Sequence, residues 1–306
     1  MRLSPSHLDH AKDFNHELAR FNSPPIGVFP KEERRTVSEH TPFIDFEKSI
    51  ERKERPMSST DTSNGTPISG AVALVTGGNR GFGRALVDEL LERGAAKVYA
   101  TSRSAQPQRD DDRIVPLILD VTDDTSVAAA AQTATDVSIL VNNAGINLHT
   151  PVLEAPLADI RDELETNLFG ILRVARAFAP VLAGQPRSSM VNVLSGLSWV
   201  SFGRGYEISK SAGWSATDAL RLALRDQGTI VTALHVGYMD TDMTAKLDVP
   251  KADPRDVAVQ VADAILAGDF EVLADDLTRS VKSRLSDDVT ARYVPPFPQL
   301  AAALPA

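Results

Sequence analysis

The segment Ala71–Gly94, AVALVTGGNRGFGRALVDELLERG, constrains the fold more than any other part of the chain. A short apolar run at Val72–Val75 breaks into TGGNRGFG, and apolar residues then return at helical spacing at Leu86, Val87, Leu90 and Leu91. That order predicts a strand, a glycine turn and a helix. Gly77, Gly81 and Gly83 allow a sharp turn and a close approach of backbone to a bound group, and the free N–H groups at a helix start favour a negatively charged ligand. A dinucleotide pyrophosphate suits such a place. The spacing is TGxxxGxG rather than GxGxxG, and by itself it is equally well served by a tight strand-to-helix turn that binds nothing.

The same alternation continues from Ile68 onward. Strands are predicted at Val98–Thr101, in the run IVPLILD that stops at Asp120, in SILVN, at Met190–Ser195, in TIVTALHVG and at Glu271–Ala274. Helices are predicted at Thr125–Ala134, Leu157–Leu182, Glu207–Arg225 and about Pro254–Leu266. Apolar strands separated by helices imply an α/β protein with a parallel sheet covered on both faces. Ligands of such sheets bind at the carboxyl ends of the strands. Asn79, Arg103, Asp120, Asn142, Asn143, Ser195 and the turn after His235 fall there.

Composition narrows the chemistry. With 306 residues, 42% of them hydrophobic, the chain can bury a core in one domain or at most two. A formal charge of −9 without a dense basic patch argues against nucleic acid or an anionic membrane as partner and favours a small molecule. Zero cysteines exclude disulfides, thiolate nucleophiles and Cys-ligated zinc, and no apolar leader opens the sequence, so the expected location is cytoplasmic.

Residues 1–67 read as an irregular extension rich in charge, Pro and Ser, with KEERR at Lys31–Arg35 and EKSIERKERP at Glu47–Pro56. One amphipathic stripe recurs there at Leu8, Ala11, Phe14, Leu18 and Phe21. His7, His10 and His16 have no surrounding carboxylate–histidine signature, and no metal is assigned. Met57 opens a Ser/Thr-rich lead-in of the kind often found at a native start, and the expectation drawn from it is that Met1–Pro56 is an upstream extension. The expected organisation is an extension at 1–67, a catalytic domain at 68–290 and a tail at 291–306.

TGGNRGFG at Thr76–Gly83, Asp120–Val121, NNAG at Asn142–Gly145, Asn167, Ser195 and YEISK at Tyr206–Lys210 stand in an order that resembles the short-chain dehydrogenase/reductase family. The resemblance covers roughly Ala71–Ala274. It implies a single Rossmann-type doubly wound parallel sheet and an oxidoreductase that moves hydride between NADP(H) or NAD(H) and a carbonyl or secondary alcohol. It also implies a homodimer or homotetramer and a catalytic set of Asn167, Ser195, Tyr206 and Lys210. The cofactor residues carried over are Thr76, Gly77, Asn79, Arg80, Gly81, Phe82, Gly83, Ser102, Arg103, Asp120, Val121, Asn143, Ala144, Gly145, Tyr206, Lys210, Gly237, Met239 and Thr241. Ser102–Arg103 stands where an NAD-dependent member would place an acid on the ribose; with Arg80 this pair suits a 2′-phosphate and hence NADP(H).

Each residue also has a plainer role. Y-x-x-x-K merely puts two side chains on one helix face, Ser195 could be a turn residue with Ser198 its competitor, Asn167 could face solvent, and Asp120 could cap the next helix. The resemblance instead implies a helix kink at Asn167 that holds a water. Two departures stand out: the Ser195–Tyr206 interval is about two residues short, and Val236 replaces the proline of a Pro-Gly pair. The short stretch from Met243 to Pro254, the family's lid region, predicts a small or open pocket. The chemistry needs a proton for the developing alkoxide; a tyrosine can give it, and a nearby lysine ammonium is expected to lower the phenol's pKa. A catalytically silent dinucleotide-binding sensor or scaffold is the alternative function, and a partner-binding role for the extension is another.

Overall fold

A computed structural model describes residues 65–105 and 109–293; the Leu8–Phe21 stripe and His7, His10 and His16 lie outside them. Its strands are β1 Val72–Val75, β2 Lys97–Ser102, β3 Ile114–Ile118, β4 Ile139–Asn142, β5 Ser188–Val193, β6 Thr229–His235 and β7 Glu271–Leu273. They form one sheet in the order β3-β2-β1-β4-β5-β6-β7, and every pairing is parallel. The order reverses between β1 and β4, where the crossovers leave in opposite directions. A doubly wound sheet therefore opens a crevice at the carboxyl ends of those two strands.

Period-two alternation explains how one sheet serves two cores. Ala73, Val75, Ile139 and Val141 point into a cluster closed by α1 Gly81–Glu92 and α6 Pro254–Ala267. Leu74, Leu140 and Met190 point the other way, into a cluster with Val127, Val174, Phe178 and Leu220. Those residues come from α2 Asp124–Thr133, α4 Gly170–Ala183 and α5 Gly205–Ala223. Asp123 caps α2, accepting from the N–H groups of Thr125 and Ser126. Asp120 is thus not the capping residue; it accepts from Thr122 instead.

The predicted Leu157–Leu182 helix is interrupted. It runs as α3 Leu157–Leu164, a π-helical turn at Glu165–Phe169 and then α4. By length and composition this span resembles a membrane helix. Its stripe of Ile171, Val174, Ala175, Phe178 and Leu182 is instead packed into the second core cluster. After β7 the chain adds α7 Asp276–Ser283 and α8 Val289–Tyr293, which the sequence pattern did not predict. In α7 only Thr278 and Val281 are buried, too few to make a readable period. Thr66, near the end of the segment read as extension, is buried: its N–H donates to the Ile265 carbonyl at 2.9 Å and its hydroxyl meets Ser189 Oγ at 2.6 Å.

A polar spine crosses the second core. Asn142 and Asn192 are register partners on β4 and β5, and Asn142 Nδ2 donates to Asn192 Oδ1 at 2.8 Å. Asn192 Nδ2 donates in turn to Thr217 Oγ1 at 3.0 Å, and that hydroxyl donates to the Gly213 carbonyl. Buried amides need such partners. The spine fixes the rotation of α5, on which Tyr206, Lys210, Gly213 and Thr217 recur every three or four residues and share a face.

The glycine turn is equally specified. Gly77 and Gly81 have φ of +67° and +53°, the left-handed region where glycine carries no steric cost. Gly83 has a different role: a Cβ there would lie 2.1 Å from the Gly77 carbonyl oxygen and 2.6 Å from Asn143 Nδ2. The start of α1 rests on backbone. Gly83→Ala should therefore lower stability by about 1–3 kcal/mol, as forced overpacking does. Thermal unfolding checks this, and an unchanged midpoint would show that the turn moves freely.

Candidate active site

Two turns meet at the crevice. Thr76, at the end of β1, donates its hydroxyl to the Val141 carbonyl at 3.3 Å and accepts from the N–H groups of Asn143 at 2.8 Å and Ala144 at 3.0 Å. Asn143 Nδ2 returns a bond to the Thr76 carbonyl at 2.9 Å. Gly145 follows, so close to the catalytic candidates that a Cβ on it would lie 3.0 Å from Asn167 Oδ1 and 3.6 Å from Lys210 Nζ. The start of α1 receives no side-chain cap from Arg80. Asn79 Nδ2 is buried without a hydrogen-bond partner among the described residues. An uncapped helix start, two left-handed glycines and an orphaned amide together fit a dinucleotide's phosphates.

Arg80 is exposed and reaches across the turn to Asp242, Nη1 to Oδ2 at 3.2 Å. Thr241 lies above the same turn; its methyl would be 3.7 Å from a Cβ on Gly81. Phe82 is buried in the first core. Met239 bridges to Ala252 and packs on that core, while the Gly237 N–H donates to Asp275 Oδ2 at 2.6 Å. Val236, in the place of the family's proline, is buried and accepts the Gly196 N–H through its carbonyl. At the end of β2, Ser102 donates to the Ser104 carbonyl at 2.5 Å, and Arg103 is exposed. Asp120 lies within the electrostatic reach of Arg103. Burial works against its charge, but the Thr122 hydrogen bonds and the positive Arg103 and Arg173 hold its carboxyl below the usual range. Val121 is buried, and its carbonyl accepts from Arg173 at 2.6 Å.

Asn167, Ser195, Tyr206 and Lys210 come together from three separate elements. Asn167 is fully buried in the π-turn; its Oδ1 accepts the Ile146 N–H at 2.9 Å, and its Nδ2 donates to the Ile146 carbonyl at 2.8 Å and to Ser209 Oγ at 2.9 Å. It does not face solvent. The widened π-turn, a common device at functional sites, aims it sideways at the strand ends. Ser195 caps a short 3₁₀ turn at Gly196–Ser198, and its side chain is hydrogen-bonded with the Tyr206 phenol. Ser198 instead turns back, its Oγ accepting the Ser195 N–H at 3.4 Å.

Lys210 is buried, donates from Nζ to the Val193 carbonyl at 2.9 Å, and lies 5.6 Å from the centre of the Tyr206 ring. Burial lowers its pKa to about 8. Tyr206 departs from the expectation of a lowered phenol pKa. Burial pushes it up, the Ser195 hydrogen bond pulls it partly back, and the negative charge of Glu163 raises it further. Desolvation is the largest of these effects, and Lys210 is not among the groups that pull the phenol down.

Several residues around this site carried no motif. His235 is buried, stacks on Trp199 at 3.8 Å between ring centres, and meets the Ser195 carbonyl through Nδ1 at 3.0 Å. Burial lowers its pKa to about 4, so its ring is neutral near neutrality and Nδ1 donates. Glu163, Asp242 and Asp275 likewise belong to no motif in the sequence, and only the fold reveals what they touch.

The sequence pattern of the family described as short chain dehydrogenase matches residues 71–252, more than half of the chain. A 3-oxoacyl-acyl-carrier-protein reductase of Vibrio cholerae is 32% identical over 64% of this chain and 89% of its own length. Human retinol dehydrogenase 16 is 38% identical over 56% of this chain and 58% of its own length. Among solved structures, a short chain dehydrogenase from Burkholderia cenocepacia in complex with NADP superposes with a TM-score of 0.72. It is 36% identical, covering 76% of this chain and all of that one. With the ordered motifs and the strand order, these matches make the chain a member of the short-chain dehydrogenase/reductase family of NAD(P)-dependent oxidoreductases.

Proposed function

We propose that this protein reduces a small carbonyl compound, or oxidises the corresponding secondary alcohol, with NADP(H) as preferred cofactor. The observation that carries the reading is the convergence of Ser195, Tyr206, Lys210 and Asn167 beside Gly145 at the carboxyl ends of β4 and β5. The nicotinamide dinucleotide supplies the hydride. The chain's own groups handle the oxygen: Ser195 donates a hydrogen bond to it, and Tyr206 gives the proton that the developing alkoxide requires. Lys210, buried and close to the phenol ring, stabilises the phenolate left behind. Asn167 holds the Ile146 backbone so that the segment after Gly145 keeps its place. The dinucleotide would lie over Thr76–Gly83, with Asn79 and the start of α1 toward its phosphates.

Turnover of a carbonyl panel, followed by nicotinamide absorbance, tests the reading, and complete inactivity beside tight dinucleotide binding would favour a silent sensor. Tyr206→Phe should cut turnover roughly 10²–10⁴-fold with cofactor affinity retained, the scale for losing a placed acid–base group. Lys210→Ala should lower turnover and cofactor affinity together. Ser195→Ala should cost more rate than Ser198→Ala, since only Ser195 meets the phenol; near-normal reduction by Tyr206→Phe would overturn the assignment.

The preference for NADP(H) rests on Ser102 and exposed Arg103 at the end of β2, with Arg80 in the glycine turn, and is supported by the NADP complex of the Burkholderia relative. Arg80 is held by Asp242 only in an exposed pair, worth about 1 kcal/mol or less, so exchange for a phosphate costs little. Arg103→Ala should raise the KM for NADPH roughly 10-fold and leave that for NADH nearly unchanged. Equal effects on both cofactors would remove Arg103 from 2′-phosphate recognition.

We also propose that residues 1–56 are dispensable for this chemistry, because every residue of the candidate site lies between Thr76 and Thr241. A chain starting at Met57 keeps Thr66 and its contacts. It should retain turnover and cofactor affinity within about 2-fold, allowing for the small effects usual away from a site. A folded variant that lost either would assign the extension a part in the site.

A further inference from the structure

Glu163 has no place in the motifs, yet it is fully buried beside the site. It sits one turn before Asn167, near the end of α3. Its Oε1 accepts the Leu148 N–H at 2.7 Å, and its Oε2 accepts the Thr150 hydroxyl at 2.8 Å. Both partners are neutral. A buried carboxylate held only by neutral donors is costly to keep compared with an apolar residue of the same size. The acid's surroundings say what it holds together. The Gly205 N–H donates to the Thr150 carbonyl at 2.9 Å, Arg204 bridges to Pro151, and the Val152 N–H donates to the Gly203 carbonyl at 2.9 Å. At Gly205, directly before Tyr206, a Cβ would lie 2.5 Å from Glu163 Oε2 and 2.6 Å from Thr150 Oγ1. The loop after NNAG, the end of α3 and the first turn of α5 therefore meet on this one carboxylate. Glu207, the other buried acid nearby, is accounted for by capping: it accepts from Ser201, Phe202 and Arg204.

We infer that Glu163 is a positioning residue of the proposed active site: it ties the Leu148–Thr150 loop to the start of the Tyr206 helix and sets its carboxylate near the phenol that gives the proton. The inference rests on the reading of Tyr206 as the proton donor. A negative charge beside a phenol disfavours phenolate, so Tyr206 keeps its proton to higher pH. In the proposed reduction the phenol O–H would break to protonate the carbonyl oxygen as the carbon received a hydride, leaving alcohol, phenolate and an oxidised dinucleotide, so the neutral phenol is the form that can give the proton. The other charged or titratable groups facing this corner are His149 on the loop, Arg204 ahead of α5, Lys246 after the 3₁₀ turn Asp242–Thr244, Lys210 within α5 and Glu207 beside Arg204. Glu163 is the acid that acts on both His149 and Tyr206.

Two variants separate charge from tether. Glu163→Gln keeps the shape, with Oε1 still accepting from Leu148 and Nε2 able to donate to Thr150, but loses the charge. Thr150→Val keeps the charge and cuts one tether. The readout independent of turnover is near-ultraviolet phenolate absorbance, assigned to Tyr206 by difference from Tyr206→Phe and read at the highest pH at which the fold survives. Glu163→Gln should show more Tyr206 phenolate than the parent, and Thr150→Val the same amount. In turnover, the alkaline fall-off of reduction should move to lower pH in Glu163→Gln with KM near the parent value. Thr150→Val should raise KM roughly 2- to 10-fold, as loss of one hydrogen bond does, with the pH profile in place. Unchanged phenolate in folded Glu163→Gln, or an equal shift in Thr150→Val, overturns the inference. A parent protein inactive on every carbonyl would instead sink the proposed function, because the absorbance readout needs no substrate.

Discussion

The knot between Thr76 and Asn143 is the interaction on which the rest of the site depends. One threonine hydroxyl accepts two backbone N–H groups of the β4 turn and donates to the Val141 carbonyl, and one asparagine amide closes the loop from the other side. In a doubly wound sheet the crossovers after β1 and β4 lead to opposite faces, so the turns that leave these two paired strand ends would otherwise be free to part. The knot holds them at a fixed separation. It also puts Asn143 Nδ2 under Gly83, where together with the closer Gly77 carbonyl it leaves the first turn of α1 no room for a side chain. The glycine turn and the proposed catalytic residues beside Gly145 are thus referenced to the same few hydrogen bonds.

A second constraint sets the catalytic face. Tyr206 and Lys210 are useful only if α5 is rotated so that both look toward the strand ends, and apolar packing alone would tolerate some rotation. The Asn142–Asn192–Thr217 spine does not, because any slip leaves a buried amide without a partner. Asn142 Oδ1 already lacks a partner among the described residues, a cost borne by the strand that leads directly into NNAG. On the opposite side, the π-turn swings Asn167 onto the Ile146 backbone, and Glu163, a turn earlier, ties down the next residues of the same loop. Rigid strands, one helix and one distorted helix thereby converge on a few atoms.

The sequence carried the sheet well for a physical reason. Strands buried on both faces must be continuously apolar, and the residues that end them must be small or polar, so Val72–Val75, Ile139–Asn142 and Thr229–His235 announce themselves. Loop chemistry was legible where backbone geometry demands one residue type, as at Gly77, Gly81 and Gly83. It was not legible where a side chain works through contacts made far along the chain. Glu163 reads as one more acid in a polar stretch, LADIRDELETN, until Thr150 and Gly205 are brought beside it. Asp120 had the plain look of a helix cap, yet Asp123 takes that role. The π-turn is not legible in periodicity, because the apolar stripe from Ile171 to Leu182 lies wholly after it and the helix before it buries only Ile160 and Glu163, too few to show a change of phase.

The expected lowering of the phenol pKa failed for a reason that bears on how such a site works. Burial penalises the phenolate of Tyr206 and the ammonium of Lys210 alike, raising the one and lowering the other to about 8. Neither charge is comfortable alone. Each becomes less costly when the other is present, since a phenolate beside Lys210 offsets the desolvation of the ammonium, and the ammonium offsets that of the phenolate. In the proposed reaction the phenol is neutral before proton transfer, and Lys210 leans on the Val193 carbonyl. After transfer the phenolate gives the ammonium a stronger partner. The stabilisation appears only as the proton leaves, the differential arrangement that speeds a reaction rather than merely binding its reactants.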